Sequence, residues 1–196
     1  MQRRTRTQMI EETRAKLLAT ARKAFAEHGY ANTSMDEFTA AVGLTRGALY
    51  HHFGSKEKLL IAVIDQLEGE LAQRLQQIAD AAPTPWEAFR CRCRAYLELA
   101  LLPENRRIIL QDARAMFGDV PQENQNTGIA ALEAALQELI DAGTVVEVHA
   151  GLMARMLYGA VTEAAFWIAE PDSDPPVRLA VSLEALDKLL SGLLPR

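Results

Sequence analysis

Residues 33–56, TSMDEFTAAVGLTRGALYHHFGSK, constrain this chain more than any other stretch, because they fit two short helices set at an angle by a tight turn. Ser34 and Glu37 have the S-x-x-E spacing of a capping box, so a helix is predicted to begin just after Ser34 and to carry Phe38 and Val42 inward. Gly43 ends it with the positive φ that a tight turn demands. Thr45 then caps a second helix, which runs through Phe53 until Gly54 stops it. Two short helices around a glycine turn form a helix-turn-helix, whose second helix enters a DNA major groove.

That second helix reads position by position. At about 100° per residue, Leu49 and Phe53 share an inward face. Gly47, Ala48, His51 and His52 lie opposite, with Arg46 and Tyr50 at the edges. A glycine in a first helical turn costs about 1 kcal/mol relative to alanine. The gap it leaves lets backbone approach a base edge or phosphate closely. Arg46 can fork onto guanine O6 and N7, the commonest specific base contact. Tyr50, His52 and Lys56 suit phosphates, which position the helix without reading sequence. An exposed corner of some other all-helical protein would not need so many coordinated choices.

Residues 24–60, AFAEHGYANTSMDEFTAAVGLTRGALYHHFGSKEKLL, resemble the DNA-binding domain of the TetR family of transcriptional regulators. The resemblance covers roughly the first third of the chain and rests on AFxEHGYxxTSM, VGLTRGALYHHF and SKEKLL. It implies that Thr33, Ser34, Thr45, Arg46, Gly47, Ala48, Tyr50, His51, His52 and Lys56 line the DNA. Two positions depart from the pattern. Thr39 stands where a small alanine is usual and Phe38 where an aliphatic is usual, which puts the spacing of the two helices in question.

Charge supports a divided molecule. The chain carries −5 overall, but residues 1–60 hold ten Lys/Arg against six Asp/Glu, leaving +4 there and −9 over residues 61–196. A basic head on an acidic body suits a DNA reader whose other end has a different task. The expected division is a DNA-binding domain at 1–54 and an effector-binding and dimerisation domain at 55–196. Cys91 and Cys93 are two apart, so on a helix they point in different directions and are expected to be buried, reduced thiols. Residues 1–7 are polar and basic with no apolar stretch behind them, which points to a cytoplasmic protein without a leader. The nearest approach to a membrane span is 150–169, but Arg155 and Glu163 interrupt it, so a buried bundle helix is expected.

The fold class expected is all-α, with about nine helices: a three-helix head and a helical-bundle body. Residues 1–8 read as a basic arm, either without fixed structure or touching DNA through Arg3, Arg4 and Arg6. A first helix is predicted over 11–28, with Ile10, Leu17, Leu18, Ala21 and Phe25 as its apolar stripe. Ser55 caps a fourth helix over 56–80, with Leu59, Val63, Leu67, Leu71, Leu75 and Ile78 on one face. At about 1.5 Å per residue it spans nearly 40 Å and links the head to the rest. Helices follow at 86–102, 104–117, 122–142, 149–170 and 175–194, with residues 144–148 as a loop.

The last two helices carry more apolar surface than one small domain hides, which suggests self-association. Met156, Val161, Leu179, Leu183, Leu186 and Leu190 are the expected interface residues. The resemblance implies the same thing, a homodimer through a four-helix bundle. It also implies a pocket for a small-molecule effector in the body. Tyr96, Met116, Phe117, Glu163 and Trp167 are its candidates, being large or polar groups where a packed core would favour leucine or alanine. Glu163 needs a partner: Arg155, Arg107 or Arg114 within the chain, or a hydrogen-bonding or cationic ligand group.

Enzyme chemistry finds no support. The chain has no nucleophile elbow, no metal-ligand spacing and no phosphate loop, and His149 reads as a helix-start residue. No cofactor is expected. The reading is a ligand-responsive repressor on a palindromic operator, with an effector-independent activator or architectural dimer as the alternative.

Overall fold

The computed structural model describes residues 5–195 except 42, 44, 100, 119–121 and 172, and gives backbone alone at 37, 41, 46, 48 and 122–124. Arg3, Arg4, Val42 and the side chains of Glu37, Arg46 and Ala48 therefore lie outside the described residues.

The described residues are helical throughout, without a strand. Helix α1 is Arg6–His28, opened by a capping box in which Thr5 Oγ1 accepts from the Gln8 N–H and Gln8 Oε1 accepts from the Thr5 N–H. The helix thus starts five residues before the predicted 11–28, and Arg6 belongs to its first turn rather than to an arm. Thr-x-x-Gln was the signal overlooked. Leu17, Ala21 and Phe25 are buried as expected, but Ile10 is exposed because the head packs only on the later turns of α1.

Helices α2 (Met35–Ala41) and α3 (Arg46–Phe53) follow, with Gly43 between them at φ 67°. Phe38, Leu49 and Phe53 close onto α1 and α4, forming a three-helix head. The departure at Thr39 is absorbed locally, since its buried hydroxyl donates back to the Met35 carbonyl at 2.9 Å. Helix α4 (Lys56–Asp80) has the predicted bounds, with Ser55 Oγ accepting from the Lys58 N–H at 3.1 Å. Its 25 residues belong to both ends of the molecule. Leu59, Leu60, Val63 and Ile64 are wholly buried at the head, whereas Leu75 joins Ala95 and Leu99 in a small separate cluster at the far end.

The body adds α5 (Pro85–Leu99) and α6, whose residues Asn105–Ala113 are wound as a π-helix before continuing in α form as Arg114–Phe117. Then come α7 (Gln122–Asp141), α8 (Ala150–Ala169) and α9 (Pro175–Ser191). The β-rich residues 144–148 are a loop, as expected, fastened by the Val146 N–H to the Leu193 carbonyl at 2.8 Å. His149 starts α8, its Nδ1 accepting from the Leu152 N–H, and Asp174 does the same for α9 toward Val177. One apolar core runs from Leu17 and Phe25 in the head through Leu97, Ile108 and Leu136 to Leu157 and Leu190. Both cysteines are free thiols, Cys93 buried and Cys91 half-buried. Among the described residues no helix is long and apolar enough to cross a membrane.

Candidate nucleic-acid interface and body cavity

Helix α3 is held by one face and bare on the other. Leu49 and Phe53 anchor it in the core, while Thr45, Gly47, Tyr50 and His51 are exposed, as is Ser34 at the start of α2. Its C-terminal end is pinned by Arg14, whose guanidinium lies 4.4 Å from the Phe53 ring centre and donates to the His52 carbonyl at 3.1 Å. His52 is half-buried and meets His51 edge to face, ring centres 5.7 Å apart. A methyl at Gly47 would meet nothing nearer than the Thr45 hydroxyl at 3.8 Å. The fold itself therefore gives no reason for a glycine there.

Two of the expected DNA groups are not fully exposed. Thr33 is buried, its hydroxyl donating to the Gly29 carbonyl at 2.8 Å, so it bolts the α1–α2 turn. Lys56 is half-buried with its ammonium 4.4 Å from the Tyr30 ring centre. Burial lowers its pKa, partly offset by Asp112.

Around Tyr30 the head meets the body. Asp112 of α6 accepts from the Tyr30 N–H at 2.8 Å and lies 3.6 Å from Arg107. Gly29 sits at φ 79°, a conformation that disfavours any side chain, and the Arg107 guanidinium occupies the space a Cβ would take, its nearest nitrogen 1.8 Å away. Higher on α1, Arg22 reaches Glu70 of α4 and Glu104 at the start of α6, each at 2.7 Å. Its hydrogen bonds to Glu104 and then Glu70 raise the guanidinium pKa, and the bond from Arg22 lowers that of Glu70. On its opposite side α6 is tied to the end of α8 by Gln111, which donates to the Ala169 carbonyl at 2.8 Å.

Between α4, α5, α6, α7 and α8 lies a cavity of about 270 Å³. Leu71, Leu75, Ile109 and Val161 form much of its apolar wall, and Asp65, Glu68, Arg92, Tyr96 and Tyr158 bring polar groups to it. Burial, aided by Asp65, pushes the Glu68 carboxyl up to about 7. Burial likewise raises the Tyr96 phenol and pushes the Cys93 thiol up to about 12, keeping it protonated.

Of the five pocket candidates only Tyr96 reaches this cavity. Met116 is exposed and Phe117 half-buried at the far end of α6. Glu163 is 73% exposed with Arg114 3.8 Å away, so of its possible partners the structure selects Arg114. Trp167 is exposed under the Arg178 guanidinium, 4.6 Å from its ring centre. Glu163 and Trp167 lie on the outward side of α8 because Val161, Ala165 and Ile168 take the inward side. The signal that could have located the cavity is on α4. Asp65, Glu68, Gly69 and Ala72, spaced three, one and three, give one helical face of acids and small residues beside the leucine stripe.

The expected dimer residues also shift. Val161, Leu186 and Leu190 are buried in their own chain, and Leu179 and Leu183 pack against the same core. The richest stripe of α9 serves the chain's own core. Left bare beside Met156 are Leu152 and Trp167 of α8 and Val177, Val181 and Leu189 of α9.

Comparison with known proteins is consistent across the whole length. The profile described as "Bacterial regulatory proteins, tetR family" matches residues 17–63, and "Tetracyclin repressor-like, C-terminal domain" matches residues 86–193. A crystal structure of a TetR-family transcriptional regulator from Pectobacterium atrosepticum is 53% identical, covers 98% of this chain and 99% of its own, and superposes with a TM-score of 0.91. The repressor KstR2 of Mycolicibacterium smegmatis is 33% identical over 56% of this chain and 53% of its own length. The repressor AcnR of Corynebacterium efficiens is 38% identical over 33% of this chain and 35% of its own. The chain thus matches about a third to a half of the length of these curated relatives.

Proposed function

This chain belongs to the TetR family of bacterial regulators, and from that premise we propose that it is a homodimeric repressor which reads a palindromic operator through α3 and leaves it when a small molecule enters the cavity. The family is one of regulators, and the chain is not an enzyme. The observation that carries the DNA reading is α3, anchored by Leu49 and Phe53 with Gly47, Tyr50 and His51 facing solvent. Two relatives named as repressors support the sign of regulation. Work on DNA fits a cytoplasmic protein.

A pair of heads joined through α8 and α9 would meet half-sites about 34–36 Å apart, or a multiple of that. Residues 1–54 then read DNA, and 55–196 pair the subunits and hold the effector. To move a 99:1 population fully over, the effector must prefer the released form by about 5.5 kcal/mol. An effector-independent activator or architectural dimer would use the same head, but the cavity favours a ligand-responsive one.

Fluorescence anisotropy of the purified protein with duplexes from around its own coding region tests this. Tight binding that weakens steeply with salt and discriminates against scrambled duplex is expected. Equal affinity for scrambled DNA would sink the proposal.

A further inference from the structure

We infer that the cavity takes a small apolar cation, a single ring or short chain bearing a protonated amine, seated with its nitrogen against Glu68. The inference rests on the reading of this cavity as the effector site and specifies the chemistry of the occupant.

The charges around the cavity argue for it. Asp65 and Glu68 stand three residues apart on the face of α4 that lines it. Among the described lining residues Arg92 is the one formal cation, and it donates to Gln76 on α4 at 3.2 Å. The lining therefore carries a formal excess of negative charge. Glu68 makes no hydrogen bond or ion pair with any described residue, whereas its neighbour Glu70 has Arg22 and Gln66. A carboxylate withdrawn from water without a partner is costly, and a ligand cation removes that cost. The rings of Tyr96 and Tyr158 line the same space and offer faces to a cation. A carboxylate ligand would instead confront two acids.

Size narrows the class. The cavity, about 270 Å³, lies just under the usual range for drug-sized ligands. That suits one ring with a short arm.

Protonation gives a second handle. The titratable or charged groups facing Glu68 are Asp65 on α4, Arg92, Cys93 and Tyr96 on α5, and Tyr158 on α8. From α6 and α7 come only uncharged groups, Ile109 and Thr127 among them. Glu68, held near 7 by burial, must lose its proton to pair with an amine, so affinity rises with pH across neutrality.

Calorimetry on the full-length protein with 2-phenylethylamine, 2-phenylethanol and phenylacetate separates the charges at nearly constant shape. The amine is expected to bind at least about tenfold tighter than either of the others. Glu68→Gln should weaken the amine about ten- to a hundredfold and leave the alcohol unchanged. With the unsubstituted protein, amine affinity should rise about tenfold from pH 6 to pH 8, a measurement that does not depend on how the variant folds. Comparable affinity for alcohol or acid, indifference to Glu68→Gln, a flat pH profile, or binding of none of the three would overturn the inference. Release of operator DNA is measured separately. A Glu68-dependent amine that fails to release DNA supports this inference and defeats the effector reading, whereas release by the alcohol or acid alone does the reverse.

Discussion

Single residues show where polar groups are satisfied and where they are not. Glu163 stood out in the sequence as a carboxylate among apolar neighbours, yet α8 turns it outward to Arg114. Glu68 drew no notice on a helix rich in polar residues, yet it is the one held near 7. Its proton is retained in the folded state and lost near 4.5 in the unfolded chain, so this residue subtracts stability as pH rises from about 4.5 through about 7. Glu68→Gln should therefore raise stability at pH 8 by on the order of 1–2 kcal/mol, discounted for its partial contact with solvent. The gain should fade on acidification toward pH 4.5, which denaturant titrations at several pH values will read. At the other end of the molecule, Arg46→Ala should relax base preference at one operator position, costing about 1–3 kcal/mol there and little elsewhere. Selection of bound sequences from a random pool checks it. Thr33 is buried with its hydroxyl bonded to Gly29, a placement that its one letter in the sequence does not reveal.

Elements were legible where a cap or a stripe announced them. Ser55 and the leucine stripe fixed both ends of α4, and Gly43 and Gly54 bracketed α3. The start of α1 is set by the Thr5–Gln8 capping box, a polar signal that lies ahead of the apolar stripe. The π-winding of α6 has no period that sequence reveals, because its extra residue per turn is set by what packs on either side. Helix α6 links the head, the body and the cavity: Arg22 through Glu104, Tyr30 through Asp112, α8 through Gln111 and the cavity through Ile109. Arg22→Ala should leave operator affinity within about threefold, since surface ion pairs contribute little, but blunt the release of DNA by a cavity ligand. Operator binding titrated with and without ligand, in both proteins, measures that coupling. Equal release in the two would show that the Arg22 links carry no signal.

At the scale of the whole molecule, amphipathic pattern tells that a helix buries a face but not against which neighbour. The leucines of α9 at 179, 183, 186 and 190 made the stronger stripe, and the fold spends it internally. Val177, Val181 and Leu189 stay exposed, together with Leu152, Met156 and Trp167, and in the proposed dimer they meet the second subunit. Val181→Asp should therefore give a folded monomer by light scattering, with operator affinity down at least about a hundredfold as paired heads become single ones. Leu190→Asp should instead unfold the chain, because a charge would enter a fully buried site. Ile109, on the cavity wall, and Asp112, which grips Tyr30, are one short step apart on the same rod. On the proposed effector reading, altering Ile109 to admit a new guest would retune the grip on Tyr30 as well, so selectivity and responsiveness could not be adjusted independently at that position.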